Sequence, residues 1–312
     1  MGWIVLEIKI AKNSGFCFGV KKAIEVAEEV AKNNKGKTYV HGQLVHNEKV
    51  INDLGNKGIV FVENLAEIPD GAITVLRAHG EPGSTYKTLN EKSITKDNNL
   101  TDATCPLVTL VHNVGIKLKE NGYEVIIFGK ADHPESIGTK FHLKGNDTII
   151  VEEPEEYQKV LEFIKNNNSE KVAIISQTTM SVYGYKKLIE NINSNLSGNK
   201  FGQIQLSLRD LSEKYGYVDT ICNPTKQRQS GTEEIAKESD IVIVIGGKNS
   251  SNSKELYTKC KELGVESYFI QSAEQLQADW FNQKDKVGVT AGASTPDYLI
   301  DEVVNKIKEL AA

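Results

Sequence analysis

No stretch of the chain approaches the roughly 18 apolar residues that a membrane-spanning helix needs, so a membrane span is not expected. The first ten residues, Met-Gly-Trp-Ile-Val-Leu-Glu-Ile-Lys-Ile, lack the basic region, apolar core and small-residue cleavage site of a secretory signal. A cytoplasmic location is the expectation. Basic blocks are missing as well: 37 Lys and Arg are interspersed with 42 Asp and Glu for a net charge of −5, which argues against nucleic acid as a partner. There is no Walker loop and no Gly-x-Gly-x-x-Gly, so nucleotide recognition has no support. Cysteine is scarce, four in 312 residues, and none falls in a Cys-x-x-Cys pair. The compact zinc-ribbon and ferredoxin spacings are thereby excluded. A reducing cytosol also disfavours disulfides. Metal binding, catalysis or plain burial remain for these thiols, and any site they share must be assembled by the fold.

What is present is the composition of an ordinary globular protein, 39% hydrophobic and 25% charged. The length suits two or three units of about 100 to 150 residues. One pattern recurs three times. Ser14-Gly-Phe-Cys17, Asp102-Ala-Thr-Cys105 and Asp219-Thr-Ile-Cys222 each place a cysteine just before a helical stretch that leads to a short apolar strand. After Cys17, the residues Val20, Ala23, Ile24, Ala27, Val30 and Ala31 recur at helical spacing, and Leu107, Leu110, Val111, Val114 and Leu118 do so after Cys105. The third helix, predicted over Thr225–Ser239, is polar apart from Ile235 and Ala236.

Strands follow at Thr38–Gly42, Val125–Gly129 and Ile241–Gly247, β-branched and ending in glycine, as buried parallel strands do. The loops beyond them carry His46, His133 and Ser250 at nearly constant separation from Cys17, Cys105 and Cys222. A second strand is expected in each unit at Ile59–Val62, Thr148–Val151 and Ser267–Ile270. A third strand is expected at Ile73–Arg77, Val172–Ile175 and Val287–Thr290, leading to His79, to Ser176-Gln-Thr-Thr179 and to Ser294. Lys32–Lys37, Thr95–Leu100 and Lys165–Lys171 read as solvated connections.

The predicted architecture is therefore α/β: three similar lobes with mainly parallel sheets, in a pseudo-threefold arrangement with the cysteines near the axis. The boundaries read as 14–100 for the first lobe, 101–205 for the second and 206–298 for the third. The N-terminal strand 1–13 would join the third lobe, and 299–312 would form a helical tail.

Three cysteine ligands would leave one iron of a cubane cluster without a protein ligand, free to act as a Lewis acid. A zinc ion with a fourth ligand, or three small buried side chains, are the alternatives. Cys260 lies mid-helix, outside the repeat, and is expected to be structural. His46, His79 and His133, with Ser250, Ser251, Asn252 and Ser294, supply the hydrogen-bond donors that an anionic phosphate or diphosphate requires. Glu135, singled out as the one carboxylate in the strand-end loops, follows His133-Pro134 and is the candidate proton donor. Thr178 and Thr179 are placed to orient it or a substrate hydroxyl. His41, His112 and His142 fit no such pattern and are assigned to structure.

Together, Gly15-Phe-Cys-Phe-Gly-Val20, Val45-His-Asn47, Arg77-Ala-His-Gly80, Asp102-Ala-Thr-Cys-Pro106, His133-Pro-Glu135, Ser176-Gln-Thr-Thr179, Asp219-Thr-Ile-Cys222, Lys248-Asn-Ser-Ser-Asn-Ser253 and Thr290-Ala-Gly-Ala-Ser294 resemble the 4-hydroxy-3-methylbut-2-enyl diphosphate reductases of the non-mevalonate isoprenoid route. The resemblance runs through nearly the whole chain. It implies one [4Fe–4S] cluster on Cys17, Cys105 and Cys222, with the substrate hydroxyl at the open fourth iron. His46, His79, His133, Thr178, Ser250, Ser251, Asn252 and Ser294 would bind the substrate. Glu135, assisted by Thr178, would relay the proton. The products would be isopentenyl and dimethylallyl diphosphate, and the external electron donor a ferredoxin or flavodoxin. At least one of the three histidines is expected to be protonated when the diphosphate is bound. After Cys222 the run Asn-Pro-Thr-Lys-Gln-Arg228 departs from the family pattern, and Lys226 and Gln227 receive no role. Two rival readings use the same residues: a three-cysteine dehydratase or condensing enzyme such as quinolinate synthase, and a cluster-bearing sensor without turnover.

Overall fold

The structure is a computed structural model that describes residues 6–34, 36–143, 148–167, 170–205 and 214–310. Parts of the expected N-terminal strand, third-lobe start and C-terminal tail, namely 1–5, 206–213 and 311–312, lie outside the described residues.

Strand β1 (Glu7–Ile10) is followed by α1 (Phe18–Asn33), β2 (Thr38–His41), α2 (Glu48–Gly55), β3 (Ile59–Val62), β4 (Thr74–Leu76), α3 (Gly83–Glu91) and β5 (Leu100–Asp102). The second unit runs α4 (Pro106–Glu120), β6 (Glu124–Phe128), α5 (Pro134–His142), β7 (Ile150–Val151), α6 (Tyr157–Asn166), β8 (Val172–Ser176), α7 (Val182–Asn195), β9 (Gly202–Gln203) and β10 (Tyr215–Tyr217). The third comprises α8 (Asn223–Glu238), β11 (Ile241–Ile245), α9 (Ser251–Glu262), β12 (Glu266–Ile270), β13 (Lys286–Ala291) and α10 (Asp297–Leu310). Three separate sheets result, in the orders β3-β2-β4-β5, β7-β6-β8-β10-β9 and β1-β13-β11-β12. Every ladder between these strands is parallel. The three-lobed α/β prediction holds.

The lobe boundaries move. β5 pairs with β4, so the first sheet extends through Asp102 instead of ending at 100. β10 pairs with β8, so the second extends through Tyr217 instead of ending at 205. The expected C-terminal helix is present as α10 but belongs to the third lobe, because Ile300, Val303 and Ile307 are buried in its core against Val287 and Val289. The physical reason is shared. In each case the chain lays down a last strand in one sheet and then crosses to open the next lobe with a helix. β1, β5 and β10 are those last strands, and Cys17, Cys105 and Cys222 sit on the three crossovers.

Each core follows from its sequence pattern. In α1, Ala23 and Ala27 are one turn apart and buried against Val40, Leu44 and Val75, with Val20, Ile24 and Val30 flanking them. In β11 all five residues of Ile-Val-Ile-Val-Ile are at 0% exposure, since helices cover both faces of this central strand. Each such side chain contributes roughly 1.5 to 3 kcal/mol on burial. The polar α8 buries Ile235 and Ala236 together with Thr225, Arg228, Gln229, Gly231 and Thr232, the polar ones held by hydrogen bonds such as Thr232 to Thr290 and Gln229 to the carbonyl of Met180. It is a helix from Asn223, two residues earlier than predicted, because Pro224 is tolerated in the first turn, where the missing N–H has no intrahelical partner.

Candidate functional site

Each crossover fixes its cysteine in the same way. The N–H of Cys17 donates to the carbonyl of Ala293 at 3.1 Å, that of Cys105 to Ala78 at 2.9 Å, and that of Cys222 to Thr178 at 3.1 Å. In every case the acceptor lies in the strand-end loop of the lobe just left. Each cysteine is then the cap residue of the next helix: Cys17 of α1, Cys105 of α4 and Cys222 of α8. Three helix N-termini with their partial positive charge converge on the sulfurs, an arrangement that favours thiolates or an anionic group. Two of the sulfurs lie against Gly19. A Cβ on Gly19 would lie 2.4 Å from Cys105 Sγ and 4.0 Å from Cys17 Sγ, so the first turn of α1 admits only glycine there.

The three cysteines line one cavity enclosing about 710 Å³, and the same wall carries His46, His79, His133, Glu135, Thr178, Ser250, Ser251, Asn252 and Ser294. All twelve residues proposed from the sequence are thus brought together. Cys260 is not among them. It is fully buried in the third lobe beside Val242, Val244 and Leu256, and burial pushes its thiol up to about 12.

On the same cavity wall, the histidines pack as a trio. The rings of His46 and His79 are stacked with centroids 4.1 Å apart, and His133 meets both edge-on at 5.3 and 5.4 Å. Burial is the main cause that lowers all three, to about 4 for His46, to about 3 for His133 and well below the usual histidine range for His79. Their mutual repulsion and the nearby Arg77 and Lys254 add to this. Without a bound anion the trio is neutral. The expected protonated histidine therefore needs the negative charge of a ligand to appear.

Hydrogen bonds fix the tautomers. The Nδ1 of His133 accepts from the backbone N–H of Glu135 as the cap of α5, so its Nε2 bears the proton. The Nδ1 of His46 donates to Gln43 Oε1 at 3.2 Å, so its buried Nε2 is a bare lone pair with no partner among the described residues. Ligand atoms of the three rings lie within 4.8 Å of one another, close enough to surround a metal ion. The tautomers oppose that use. His133 has one nitrogen occupied by the cap and a proton on the other, and a cation would meet an N–H. An anion would be met by a donor.

Glu135 is 1% exposed and accepts from Thr178 N at 2.6 Å and Thr178 Oγ1 at 2.8 Å. Burial raises it to about 7, with the two Thr178 bonds opposing. It is therefore an acid poised near neutrality. It is not the sole carboxylate of the strand-end loops: Glu81, beyond His79, is wholly buried. That group is consumed by Arg77 Nε at 2.7 Å, His41 Nδ1 at 3.1 Å and Thr85 Oγ1 at 3.0 Å. This also gives His41 a structural place, as predicted, and His112 stacks on His142 with centroids 4.3 Å apart, away from the cavity wall.

Three of the other polar candidates already have partners. Ser294 donates to the carbonyl of His46, Asn252 Oδ1 accepts from Ala293 N, and Ser250 caps α9 by accepting from Ser253 N. The cap positions also correct the register of the repeat. Asn47, not His46, caps α2 and is the counterpart of His133 and Ser250. Two residues were missed. Gln43, three before His46, orients that ring. Arg228, next to the unassigned Lys226 and Gln227, is 4% exposed, with its Nε buried and without a partner among the described residues. A second, polar cavity of about 1210 Å³ opens outward from His46, His133 and Ser251 and is lined by Arg77, Lys130 and Lys254.

The donor set decides what could be held. Burial raises Cys105 and pushes Cys222 up to about 11, so without a metal both are thiols. A bound metal would take the sulfurs as thiolates, and three cysteines on helix N-termini beside a buried guanidinium suit an anionic metal–sulfur group, with no fourth cysteine on the cavity wall.

Fold and site together define a three-lobed parallel α/β protein with a cysteine–histidine cavity at the junction of its lobes. The chain belongs to the LytB protein family, whose model matches residues 8–308. It is 37% identical over 308 residues to 4-hydroxy-3-methylbut-2-enyl diphosphate reductase of Aquifex aeolicus, covering 98% of this chain and 97% of the relative. It is 38% identical to the same reductase of Campylobacter concisus, covering 98% and 100%. A solved structure of (E)-4-hydroxy-3-methyl-but-2-enyl diphosphate reductase, the terminal enzyme of the non-mevalonate pathway, matches with TM-score 0.63 at 37% identity over 98% of this chain and 100% of that one. The E-1-hydroxy-2-methyl-but-2-enyl-4-diphosphate reductase of Plasmodium falciparum matches with TM-score 0.80 at 28% identity over 96% and 87%. Among the described residues no helix is long and apolar enough to cross a membrane.

Proposed function

We propose that this chain removes the hydroxyl of 4-hydroxy-3-methylbut-2-enyl diphosphate reductively, giving isopentenyl and dimethylallyl diphosphate, with a [4Fe–4S] cluster held by Cys17, Cys105 and Cys222. The observation that carries this reading is the single cavity in which three crossover cysteines face a histidine trio, with Glu135 on the same wall. Such a cluster, when bound, would supply one-electron transfers and an iron without a protein ligand.

The remainder of the chemistry falls to the chain's own side chains. Replacing C–OH by C–H consumes two electrons and two protons and releases water: the C–O bond breaks and a C–H bond forms. Glu135 is half protonated near pH 7, and its Oε2 shares a hydrogen bond with Thr178 Oγ1, so the threonine hydroxyl can hand the carboxyl proton into the cavity. The diphosphate would lie on the histidines. His133 meets it with a fixed neutral Nε2–H. His46 can donate only after taking a proton on Nε2, because Gln43 keeps the Nδ1 proton in place. Ser250, Ser251, Asn252 and Ser294 complete the wall, and Ser250, Asn252 and Ser294 would exchange internal partners for phosphate oxygens. The electrons come from outside, from a reduced ferredoxin or flavodoxin.

The test is anaerobic turnover of 4-hydroxy-3-methylbut-2-enyl diphosphate by iron-loaded protein. Both isopentenyl and dimethylallyl diphosphate should form when dithionite or a reduced carrier is present, and neither should form without it. Turnover independent of reductant, or none in its presence, would reject the reading.

A further inference from the structure

Arg228 lies in the second turn of α8 and is almost fully buried. Its Nη1 donates to the carbonyl of Pro224 at 2.9 Å and its Nη2 to the carbonyl of Gly15 at 2.6 Å. Pro224 is two residues beyond Cys222, and Gly15 is two residues before Cys17. The guanidinium is therefore clamped between two cysteine segments that belong to different crossovers. Its Nε is buried and has no partner among the described residues.

No carboxylate figures among the charges that Arg228 feels. Burial pulls its pKa down, and the groups that raise it are Cys17 and Cys222. A guanidinium cannot shed its proton to escape burial, so an uncompensated one is costly to the fold. A tether between two carbonyls could have been built from an uncharged amide. The charge itself calls for a counter-anion, and among the described residues the groups that favour its charged form are Cys17 and Cys222, with whatever their sulfurs hold.

We propose that Arg228 is the fixed counter-charge of the cysteine-held cluster, a positioning residue that raises its reduction potential by favouring the more negative, reduced state. This rests on the cluster assignment made above. An added electron on a buried centre is attracted by a nearby positive charge that solvent does not screen, so the charge shifts the balance between oxidised and reduced forms. Removing it disfavours reduction even where every cysteine stays in place.

The experiment uses the full chain purified without oxygen, as wild type, Arg228→Lys and Arg228→Met, with iron and acid-labile sulfide measured for each. Midpoint potentials are read by electron paramagnetic resonance during a dithionite titration. At the potential where the wild type is half reduced, Arg228→Met should show a reduced-to-oxidised ratio at least tenfold lower, about 59 mV for one electron. Arg228→Lys, which keeps the charge, should stay near the wild type. Arg228→Met with full iron and an unchanged potential would overturn the proposal, as would equal shifts in both variants. If the methionine variant loses its iron, the lysine variant decides: cluster retention at the wild-type potential supports the charge role, and loss or a shifted potential overturns it. A wild type without iron would defeat the cluster reading itself, and this inference with it.

Discussion

The backbone N–H of Cys222 donates to the carbonyl of Thr178 at 3.1 Å, and the N–H and hydroxyl of that same threonine hold both oxygens of Glu135. A thiol and an acid on separate lobes thus share one residue as their common support. Substitutions of Thr178 that leave its backbone intact can disturb the acid while leaving the cysteine in place.

Thr178→Val removes the hydroxyl bond and keeps the N–H bond. Since the Thr178 bonds hold the Glu135 pKa down against burial, losing one raises it further above about 7. The rate should fall by roughly tenfold to a hundredfold for lack of the relay hydroxyl, and the alkaline limb of the pH–rate profile should move to higher pH. Glu135→Gln should lose a hundredfold or more and abolish that limb, with iron content unchanged. A limb that stays where it was in Thr178→Val would break the proposed link.

Cys17→Ser, Cys105→Ser and Cys222→Ser should each lose most of the iron and sulfide. Cys260→Ser should retain them. Because Cys260 is wholly buried among apolar side chains, its serine replacement places an unsatisfied hydroxyl there and should cost about 1 to 3 kcal/mol of stability. Urea denaturation measures that loss, and iron analysis of the same samples separates cluster binding from folding. Full iron in any of the first three variants would refute the ligand assignment.

Anion binding should consume a proton at His46. With inorganic pyrophosphate as the probe on iron-loaded protein, affinity should weaken as pH rises above about 4, the value of His46 in the free protein, and His46→Asn should flatten that slope by about one proton. The titration of pyrophosphate itself is common to both proteins and cancels in their ratio. Gln43→Glu sets a carboxylate against Nδ1–H, and this should raise the His46 pKa and carry the affinity loss to higher pH. His133→Gln should weaken binding and leave the slope intact. A slope that survives in His46→Asn would remove His46 from this role.

Stability should fall in acid. His46 and His133 are held at about 4 and 3 in the folded chain, against about 6.5 unfolded. Below 6.5 the unfolded chain therefore binds more protons, and their contribution is present above that pH and lost as pH falls toward 4. Glu135 acts in the opposite sense, its raised value favouring the fold below about 4.5 and losing that contribution as pH rises through 7. Urea midpoints should drop more steeply between pH 7 and pH 5 in the wild type than in His133→Gln. Equal slopes would show that the trio is not held neutral.

The threefold plan was legible because Cys17, Cys105 and Cys222 recur with the same local grammar, a cysteine opening a helix and then a β-branched strand. β5 and β10 were not, since Leu100–Asp102 and Tyr215–Tyr217 are three-residue strands whose membership is decided by the neighbour they pair with and not by their own pattern. That is also why the lobe boundaries fell early. The cavity wall was readable as motifs, yet Arg228 was not, because its defining partner Gly15 is 213 residues away and is a backbone carbonyl that carries no sequence signal. Glu81 was invisible as a buried acid for a similar reason: its neutralisers Arg77 and His41 converge only once β2 and β4 are adjacent.

Each of the three lobe-to-lobe passages ends on one cysteine, so a group bound to all three sulfurs fastens every junction of the protein at once. Oxidative loss of that group would loosen the whole assembly through a change a few ångströms across. Damage by air should then be detectable as new protease cutting at the passages themselves, around residues 11–17, 103–105 and 218–222, while the interiors of the sheets stay resistant.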